Sequence, residues 1–199
     1  MCAVVAELNE QGAPNIIGIG QCQSQGVRKA EITDTRQAAA GAESAGAKVE
    51  SVYLHGMDIR ACDGCDLCER GNGCVVNDDM QDLYPKVAAA DAILLASPVY
   101  WFTFSAQMKL FIDRCYAYQA SDWKEMQGKR YALILTYGDS DLYTSGAINA
   151  IHTFETMCRF LNAEIAGMVY GTMSDIGDAE KQPELMEQAY QLGRKLGAA

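Results

Sequence analysis

The sequence predicts an α/β protein of three layers, in which helices cover both faces of a five-stranded parallel sheet of order 2-1-3-4-5. Strand-like and helix-like segments alternate along the chain. Residues 92–97 (AILLAS) and 131–136 (YALILT) are uninterrupted apolar runs, typical of strands buried on both faces. With 199 residues the chain is expected to form a single domain, residues 1–199.

The first part of the chain is predicted to supply two strands and a helix. Residues 15–19 form a short apolar run that contains Gly18 and is followed by Gly20, and we interpret them as strand 1. Residues 34–45 favour a helix that ends at Gly46, because glycine readily adopts the left-handed backbone of a helix end. Residues 48–55 alternate apolar and polar positions and form strand 2. Residues 1–14 are assigned to no element.

A second helix is predicted over residues 78–90. Asp78 and Gln81 have the spacing of a capping box, in which each side chain bonds a backbone N–H of the first turn. Pro85 lies inside this segment and should kink the helix, because proline lacks the N–H that the ladder needs.

The remaining elements repeat the alternation. Residues 105–118 are predicted to form a helix because four apolar side chains recur on one face. These are Met108, Phe111, Ile112 and Cys115. A helix over 145–161 should end at Asn162, residues 164–170 should form strand 5, and Pro183 should begin the last helix. Ligands are then expected at the carboxyl ends of strands 1, 3 and 4.

Composition and charge exclude several classes of protein. Apolar residues make up 49% and charged residues 21%, which is ordinary for a globular domain. A net charge of −10 argues against binding to nucleic acid or to an anionic membrane. The first ten residues carry no Lys or Arg, so we expect no secretory signal and a cytoplasmic location. The longest uncharged run, 92–108, is interrupted by Pro98 and is not interpreted as a membrane span.

Cysteine is the unusual residue in this chain. There are eight, and four of them lie in a loop over residues 60–77 with the spacing Cys-x2-Cys-x2-Cys-x5-Cys. The four are Cys62, Cys65, Cys68 and Cys74. Bacterial ferredoxins open with the same spacing for [4Fe–4S] ligation. Bound zinc, free thiols and a redox disulfide remain alternatives. Negative charge from Asp63, Asp66 and Glu69 would lower the reduction potential of a cluster here.

An aromatic loop follows the third predicted strand, which should break at its proline. Its residues are Pro98, Val99, Tyr100, Trp101 and Phe102. Such a loop suits a planar ring, because aromatic walls stack on it and backbone N–H groups bond its polar edge. The alternative is a hydrophobic loop that packs on a partner subunit.

Residues 97–114 (SPVYWFTFSAQMKLFIDR) resemble the signature of the NADPH-dependent FMN reductase group of flavodoxin-like proteins. The cysteine spacing followed by residues 77–80 (NDDM) is similar to the iron–sulfur flavoprotein branch of that group. Residues 141–146 (DLYTSG) and 160–170 (FLNAEIAGMVY) also resemble that branch. The likeness extends from about residue 45 to the C-terminus, and the combined motifs are much more specific than any one alone.

The resemblance implies a flavodoxin-like FMN-binding fold with a [4Fe–4S] cluster on the four loop cysteines. It also implies that residues 98–102 contact the isoalloxazine ring and that Tyr137, Gly138 and Asp139 lie near it. Dimers or tetramers are expected. The electron donor would be NAD(P)H or a ferredoxin, and the acceptor a small molecule.

The loop after strand 1 departs from the family pattern, which is a Gly/Ser-rich turn with an arginine and a threonine around the FMN phosphate. One alignment assigns these roles to Ser24, Arg28 and Thr33, and another shifts the turn to residues 18–22. Hydroxyls, a cation and a helix N-terminus are the groups that bind phosphate. The alternative is a remodelled loop with weak or absent FMN binding.

Three functions therefore compete. The first is an iron–sulfur flavoprotein that exchanges electrons between FMN and a [4Fe–4S] cluster. The second is a clusterless NAD(P)H:FMN or quinone reductase, and the third is a redox-sensing or zinc-binding interaction protein that has lost FMN. His55 and His152 are the only histidines and are interpreted as structural or surface residues, so no catalytic side chain is assigned.

Overall fold

The computed structural model describes residues 2–5, 15–17, 34–71, 73–175 and 177–198, and these form a three-layer α/β fold. The strands are β1 Cys2–Val5, β2 Asn15–Ile17, β3 Lys48–Tyr53, β4 Ala92–Tyr100, β5 Thr103–Phe104, β6 Arg130–Tyr137 and β7 Glu164–Thr172. The helices are α1 Asp34–Ser44, α2 Met80–Ala89, α3 Ala106–Arg114, α4 Ala147–Phe160 and α5 Pro183–Gly197. Short 3₁₀ segments span Leu67–Arg70, Cys115–Ser121 and Ala179–Lys181.

The sheet has the order β2-β3-β1-β4-β6-β7, and β5 pairs with the end of β4. Strands β4, β6 and β7 are parallel to one another, with Pro98 opposite Thr136 and Tyr137 opposite Thr172. Strand β1 is antiparallel to both β3 and β4, so β3 and β4 run in the same direction. The carboxyl ends of β3, β4 and β6 therefore meet at one edge of the sheet.

The predicted all-parallel order 2-1-3-4-5 is wrong at the centre of the sheet. Residues predicted as strand 1 form β2, which lies at the sheet edge beside β3. The central place belongs to Cys2–Val5, which was assigned to no element. The segment CAVV is uncharged and ends in two β-branched residues, which suits a strand between two neighbours better than the polar start of Asn15–Ile17.

Side chains of β4 alternate between two apolar layers, as the two-residue period of a strand requires. Ile93 and Leu95 face a core formed with α2, α3 and α4. Leu94 and Ala96 face a second core formed with α1 and α5. The predicted helices on both faces of the sheet are therefore confirmed. None of the described helices is long and apolar enough to span a bilayer.

The sequence predicted that this strand breaks at Pro98. In the structure, β4 continues past the proline to Tyr100. Among the described residues, β1 pairs with β4 only at Leu95 and Ala96, so a proline at position 98 interrupts no described pairing with β1. Beyond the proline, the antiparallel pairs of β4 with β5 extend the strand into a short hairpin.

Candidate functional site

The hairpin at the end of β4 has two bulky residues in its turn. Trp101 has a φ of 47° and Phe102 a φ of 70°, which is left-handed backbone at both central positions of a two-residue loop. Such turns favour Asn and Gly, and each bulky residue in this conformation costs about 1–2 kcal/mol. The Trp101 side chain is 90% exposed and its ring centroid lies 5.4 Å from that of Phe102. Backbone strain here supports a functional role for the exposed rings.

Contacts with α4 and with the base of β4 hold this hairpin. The Asn149 side-chain amide donates to the carbonyl oxygen of Phe102 at 3.0 Å. Gly146, the residue before α4, lies against the Phe102 backbone. At the base, the Ser97 hydroxyl accepts from the backbone N–H of Ser105 at 3.2 Å. Sequence reasoning missed Gly146 and Asn149, although the glycine lies in a motif that it had noted.

Residues 137–139 lie next to the hairpin at the same edge, since Pro98 is paired with Thr136. Tyr137 is buried, and burial raises the pKa of its hydroxyl. The Thr172 hydroxyl donates to the carbonyl oxygen of Asp139 at 2.9 Å and extends the contact between β6 and β7 into the loop. The segment predicted to contact a flavin ring and the segment predicted to lie near that ring are therefore adjacent.

The loop that follows, residues 139–146, is organised by Asp141. Its carboxylate accepts the backbone N–H groups of Tyr143 at 2.7 Å and Thr144 at 3.0 Å, and the Thr144 hydroxyl at 2.8 Å. These bonds lower the pKa of Asp141 to about 2, and the bonds from Thr144 have the largest effect. The carboxylate is therefore ionised at neutral pH and fixes a loop from which the Tyr143 ring projects into solvent.

The predicted phosphate-binding residues Ser24, Arg28 and Thr33 lie outside the described residues. Their role stays a prediction.

The loop after β3 brings the four cysteines around one small concavity, and all four line it. Cys62 and Cys65 are exposed, Cys68 and Cys74 are half-buried, and all four are free thiols. Left-handed backbone at glycines in the loop, and at Asp66, allows the tight turns between them. No group of three or more His, Cys, Asp or Glu side chains in the described part of the chain is arranged to hold a metal ion.

A buried ion pair lies at the base of this loop. Arg114, at the end of α3, is 1% exposed. Its guanidinium donates to both carboxylate oxygens of Asp78, from Nη1 to Oδ2 at 2.5 Å and from Nη2 to Oδ1 at 3.1 Å. Asp78 also accepts the backbone N–H groups of Arg60 at 3.0 Å and Met80 at 3.1 Å. Burial opposes its ionisation, but the bonds to Arg114 and to these N–H groups outweigh it and lower the pKa of Asp78.

The predicted capping box is half right. Asp78 does cap the first turn of α2 by accepting the N–H of Met80. The Gln81 side chain, however, donates to the carbonyl oxygens of Cys74 at 2.9 Å and Val76 at 2.6 Å. It therefore fixes the end of the cysteine loop instead of returning to the helix start.

Arg114 also reaches the cysteines, which sequence reasoning missed. Its Nη2 donates to Cys74 Sγ at 3.4 Å, and its Nη1 donates to the carbonyl oxygen of Arg60 at 2.9 Å. Its Nε is buried with no hydrogen-bond partner among the described residues. A set of soft thiol ligands beside a buried cation with a spare N–H is chemically suited to an anionic iron–sulfur cluster. The residue types present therefore suit such a group, although the described thiols as placed are not arranged to hold a metal ion.

The three-layer fold, with an aromatic hairpin and loops at the carboxyl edge of its sheet, defines a flavodoxin-like α/β protein. The chain belongs to the NADPH-dependent FMN reductase family, whose family model matches residues 31–169, and this makes it a flavin-dependent oxidoreductase. Its relatives place it in the iron–sulfur flavoprotein branch.

Two relatives represent this branch, and two solved structures share the fold. An iron–sulfur flavoprotein of Archaeoglobus fulgidus is 35% identical over 158 residues, which are 79% of this chain and 68% of the relative. Another, of Methanocaldococcus jannaschii, is 32% identical over 110 residues, 55% of this chain and 56% of the relative. A NAD(P)H:quinone oxidoreductase from Methanothermobacter marburgensis superimposes with a TM-score of 0.61 at 18% identity, covering 83% of this chain and 88% of that one. The Trp repressor binding protein from Bacillus subtilis has a TM-score of 0.58 at 22% identity, covering 80% and 88%. These two structures show the fold.

Proposed function

We propose that the protein is an FMN-dependent electron-transfer oxidoreductase that carries a [4Fe–4S] cluster on Cys62, Cys65, Cys68 and Cys74. The observation that carries this proposal is that all four thiols line one concavity beside the buried Arg114 cation. Four soft sulfur ligands are the donor set that iron–sulfur clusters take. The names of the curated relatives support the same assignment.

The flavin would lie at the carboxyl edge of the sheet, between the aromatic hairpin of residues 98–102 and the loop of residues 137–139. The exposed Trp101 and Phe102 rings are free to stack on a planar ring and to exclude water from one face of it. Ser24, Arg28 and Thr33 would hold the phosphate. When bound, FMN supplies two-electron chemistry and the cluster supplies one-electron chemistry.

The protein's own residues supply position and charge. The Asp141 carboxylate keeps the loop next to Tyr137 in one conformation through its bonds to Tyr143 and Thr144. Exposed Asp63, Asp66 and Glu69 place negative charge around the cysteines and favour a low reduction potential. NAD(P)H or a ferredoxin would donate electrons, a small molecule would accept them, and a homodimer or homotetramer would bring one subunit's cysteine loop towards a neighbouring flavin.

The test is anaerobic purification followed by a visible spectrum before and after dithionite, with iron and FMN assays on the same sample. We expect flavin bands over a broad iron–sulfur shoulder and about four iron atoms per FMN. A colourless protein that stays colourless after FMN is added would overturn the proposal.

A clusterless NAD(P)H:FMN or quinone reductase is the second candidate. It is favoured by the finding that the described thiols, as they stand, form no arrangement that holds a metal ion. Flavin without iron, in protein purified anaerobically and then supplied with iron and sulfide, would support this candidate against the first.

A further inference from the structure

The buried pair of Asp78 and Arg114 ties together the two ends of the cysteine loop. Arg60, which precedes the first cysteine, gives its N–H to Asp78 and its carbonyl oxygen to Arg114. Cys74, the last of the four, is reached by Arg114 Nη2 through its sulfur. One side chain from α3 therefore contacts both ends of a segment that has no buried residue of its own among those described.

We propose that Arg114 is the positioning residue of the cysteine site, which fixes Cys74 as the last ligand and provides the buried positive charge that favours the reduced state. This inference rests on the proposed function, since it takes the four thiols as cluster ligands. It goes beyond that function by assigning the control of ligand position and electron affinity to one residue of α3.

The charges around the site differ in how strongly water screens them. The carboxylates of Asp63 and Glu69 belong to exposed residues, so their effect on the site is weakened by solvent. The Arg114 guanidinium is buried and lies within hydrogen-bond distance of a cysteine sulfur, where screening is weak. An N–H donor to a ligand sulfur stabilises the more negative, reduced cluster. Arg114 is therefore expected to raise a potential that the exposed carboxylates lower.

Asp78 offsets part of this effect, but the guanidinium is the member of the ion pair that donates a hydrogen bond to the Cys74 sulfur. The Asp78 carboxylate accepts two backbone N–H groups in addition to the guanidinium. The fork geometry also leaves one Nη2 hydrogen directed at Cys74 while the other bonds Asp78 Oδ1. Lysine, a point charge without a fork, would keep the charge but not both contacts.

The experiment compares two variants with wild-type protein. Removal of Arg114 alone would leave a buried carboxylate unpaired and risk unfolding, so the first variant is Arg114→Met with Asp78→Leu. The second, Arg114→Lys, keeps the charge and breaks the fork. Each is purified anaerobically, and the cluster potential is measured by dye-mediated titration. The rate of iron release to a chelator is measured in parallel.

We expect the double variant to lower the one-electron equilibrium constant for cluster reduction about tenfold, which is about 59 mV for one electron. Arg114→Lys should lower the potential less than the double variant does and release iron severalfold faster than wild-type protein, because lysine keeps the charge but not the fork. The matched control is Lys109→Met with Asp113→Leu, because this pair lies on the same helix but is exposed. It should change neither quantity.

Iron in wild-type protein together with an unchanged potential and unchanged iron release in both variants would overturn the inference and leave the proposed function intact. An equal change in the control pair would overturn it as well. Wild-type protein that holds no iron after reconstitution would overturn the proposed function, and this inference with it. If the double variant does not fold, the rate of iron release from Arg114→Lys tests the inference, and a rate equal to that of wild-type protein would overturn it.

Discussion

A Cβ atom built on Gly146 would lie 2.4 Å from the Cβ atom of Phe102 and 2.8 Å from its carbonyl oxygen. The hairpin turn and the start of α4 are thus in direct backbone contact. Gly146 itself has a φ of 74°, a conformation that side chains other than glycine rarely adopt. The left-handed turn at Trp101 and Phe102 is held by this contact and by the amide of Asn149.

We therefore expect Gly146→Ala to displace the hairpin. The added methyl group would lie within 3 Å of the Phe102 Cβ, Cα and carbonyl oxygen, so the turn must move, and overpacking of this kind costs about 1–3 kcal/mol in addition to the backbone penalty. Urea unfolding should show the loss, and a fluorescence titration should show weaker FMN binding. The matched control is Gly128→Ala, where φ is 68° but nothing lies within 4 Å of the new atom. Equal losses in the two variants would contradict the packing argument.

Trp101→Asn should separate stability from function. Asparagine tolerates the left-handed backbone, so relief of strain should raise the free energy of unfolding by about 1 kcal/mol. Little packing is lost, since the tryptophan side chain is 90% exposed. If the ring stacks on the flavin, the Kd for FMN should rise about fivefold or more, because a stacked aromatic ring contributes about 1–3 kcal/mol.

Tyr143→Asn is the control for this variant. Tyr143 is 78% exposed on the neighbouring loop, and its backbone is not among the left-handed residues of the described chain. It should give no gain in the free energy of unfolding. A loss of stability in Trp101→Asn, or an unchanged FMN affinity, would count against the assigned role of the hairpin.

Cys65→Ala should remove the iron and leave the flavin. Cys65 is exposed, so the truncation disturbs no core packing. Iron per FMN should fall well below that of wild-type protein, and reduction of one-electron acceptors should be abolished. Cys158→Ala is the control, because that thiol is buried in the core away from the loop and should leave the iron content unchanged. Reduction of one-electron acceptors by Cys65→Ala at the wild-type rate would contradict the assignment of a cluster to these cysteines.

Because of Lys129, the free energy of unfolding should vary with pH in the alkaline range. The Lys129 ammonium group is buried and donates to the carbonyl oxygen of Ala88 at 2.8 Å and to that of Ala90, and burial lowers its pKa to about 8. The unfolded chain keeps this proton until about pH 10.4. Between these values the unfolded state binds more protons, so the free energy of unfolding rises with pH by up to about 1.4 kcal/mol per unit.

Comparison with Lys129→Met isolates this contribution. The wild-type protein should gain stability relative to the variant as pH rises from 8 to 10, measured by urea unfolding at each pH. Lys124→Met, which removes an exposed lysine five residues earlier, is the control. Wild-type stability that stays constant or falls relative to Lys129→Met from pH 8 to 10 would contradict this prediction.

Local signals in the sequence predicted much of this fold correctly. Gly46 and Asn162 adopt the positive φ expected of residues after a helix, and Pro183 begins α5. These features depend on single residues and their immediate neighbours, which is why a sequence reveals them. The apolar runs of β4 and β6 were equally clear, because a strand buried on both faces admits few polar side chains.

Features that depend on contacts between distant residues were missed. The observed strand order differs from the predicted one because Cys2–Val5 pairs with strands about 50 and 90 residues away. No local sequence pattern indicates pairing over such a distance. Arg114 was noted only as the end of a motif, since a charged residue beside an apolar helix face is ordinarily taken as exposed. Its burial follows from Asp78, 36 positions earlier, and neither residue alone predicts the pair.

The way the cysteine loop is attached has a consequence for how such proteins change over time. No described residue from 60 to 77 is buried, and polar side chains, among them Asp78, Gln81, Arg114 and Tyr116, attach the loop to the body of the fold. Insertions, deletions and substitutions within it therefore leave the apolar core untouched. A lineage is free to gain, lose or retune an iron site at this position without rebuilding the fold that surrounds the flavin.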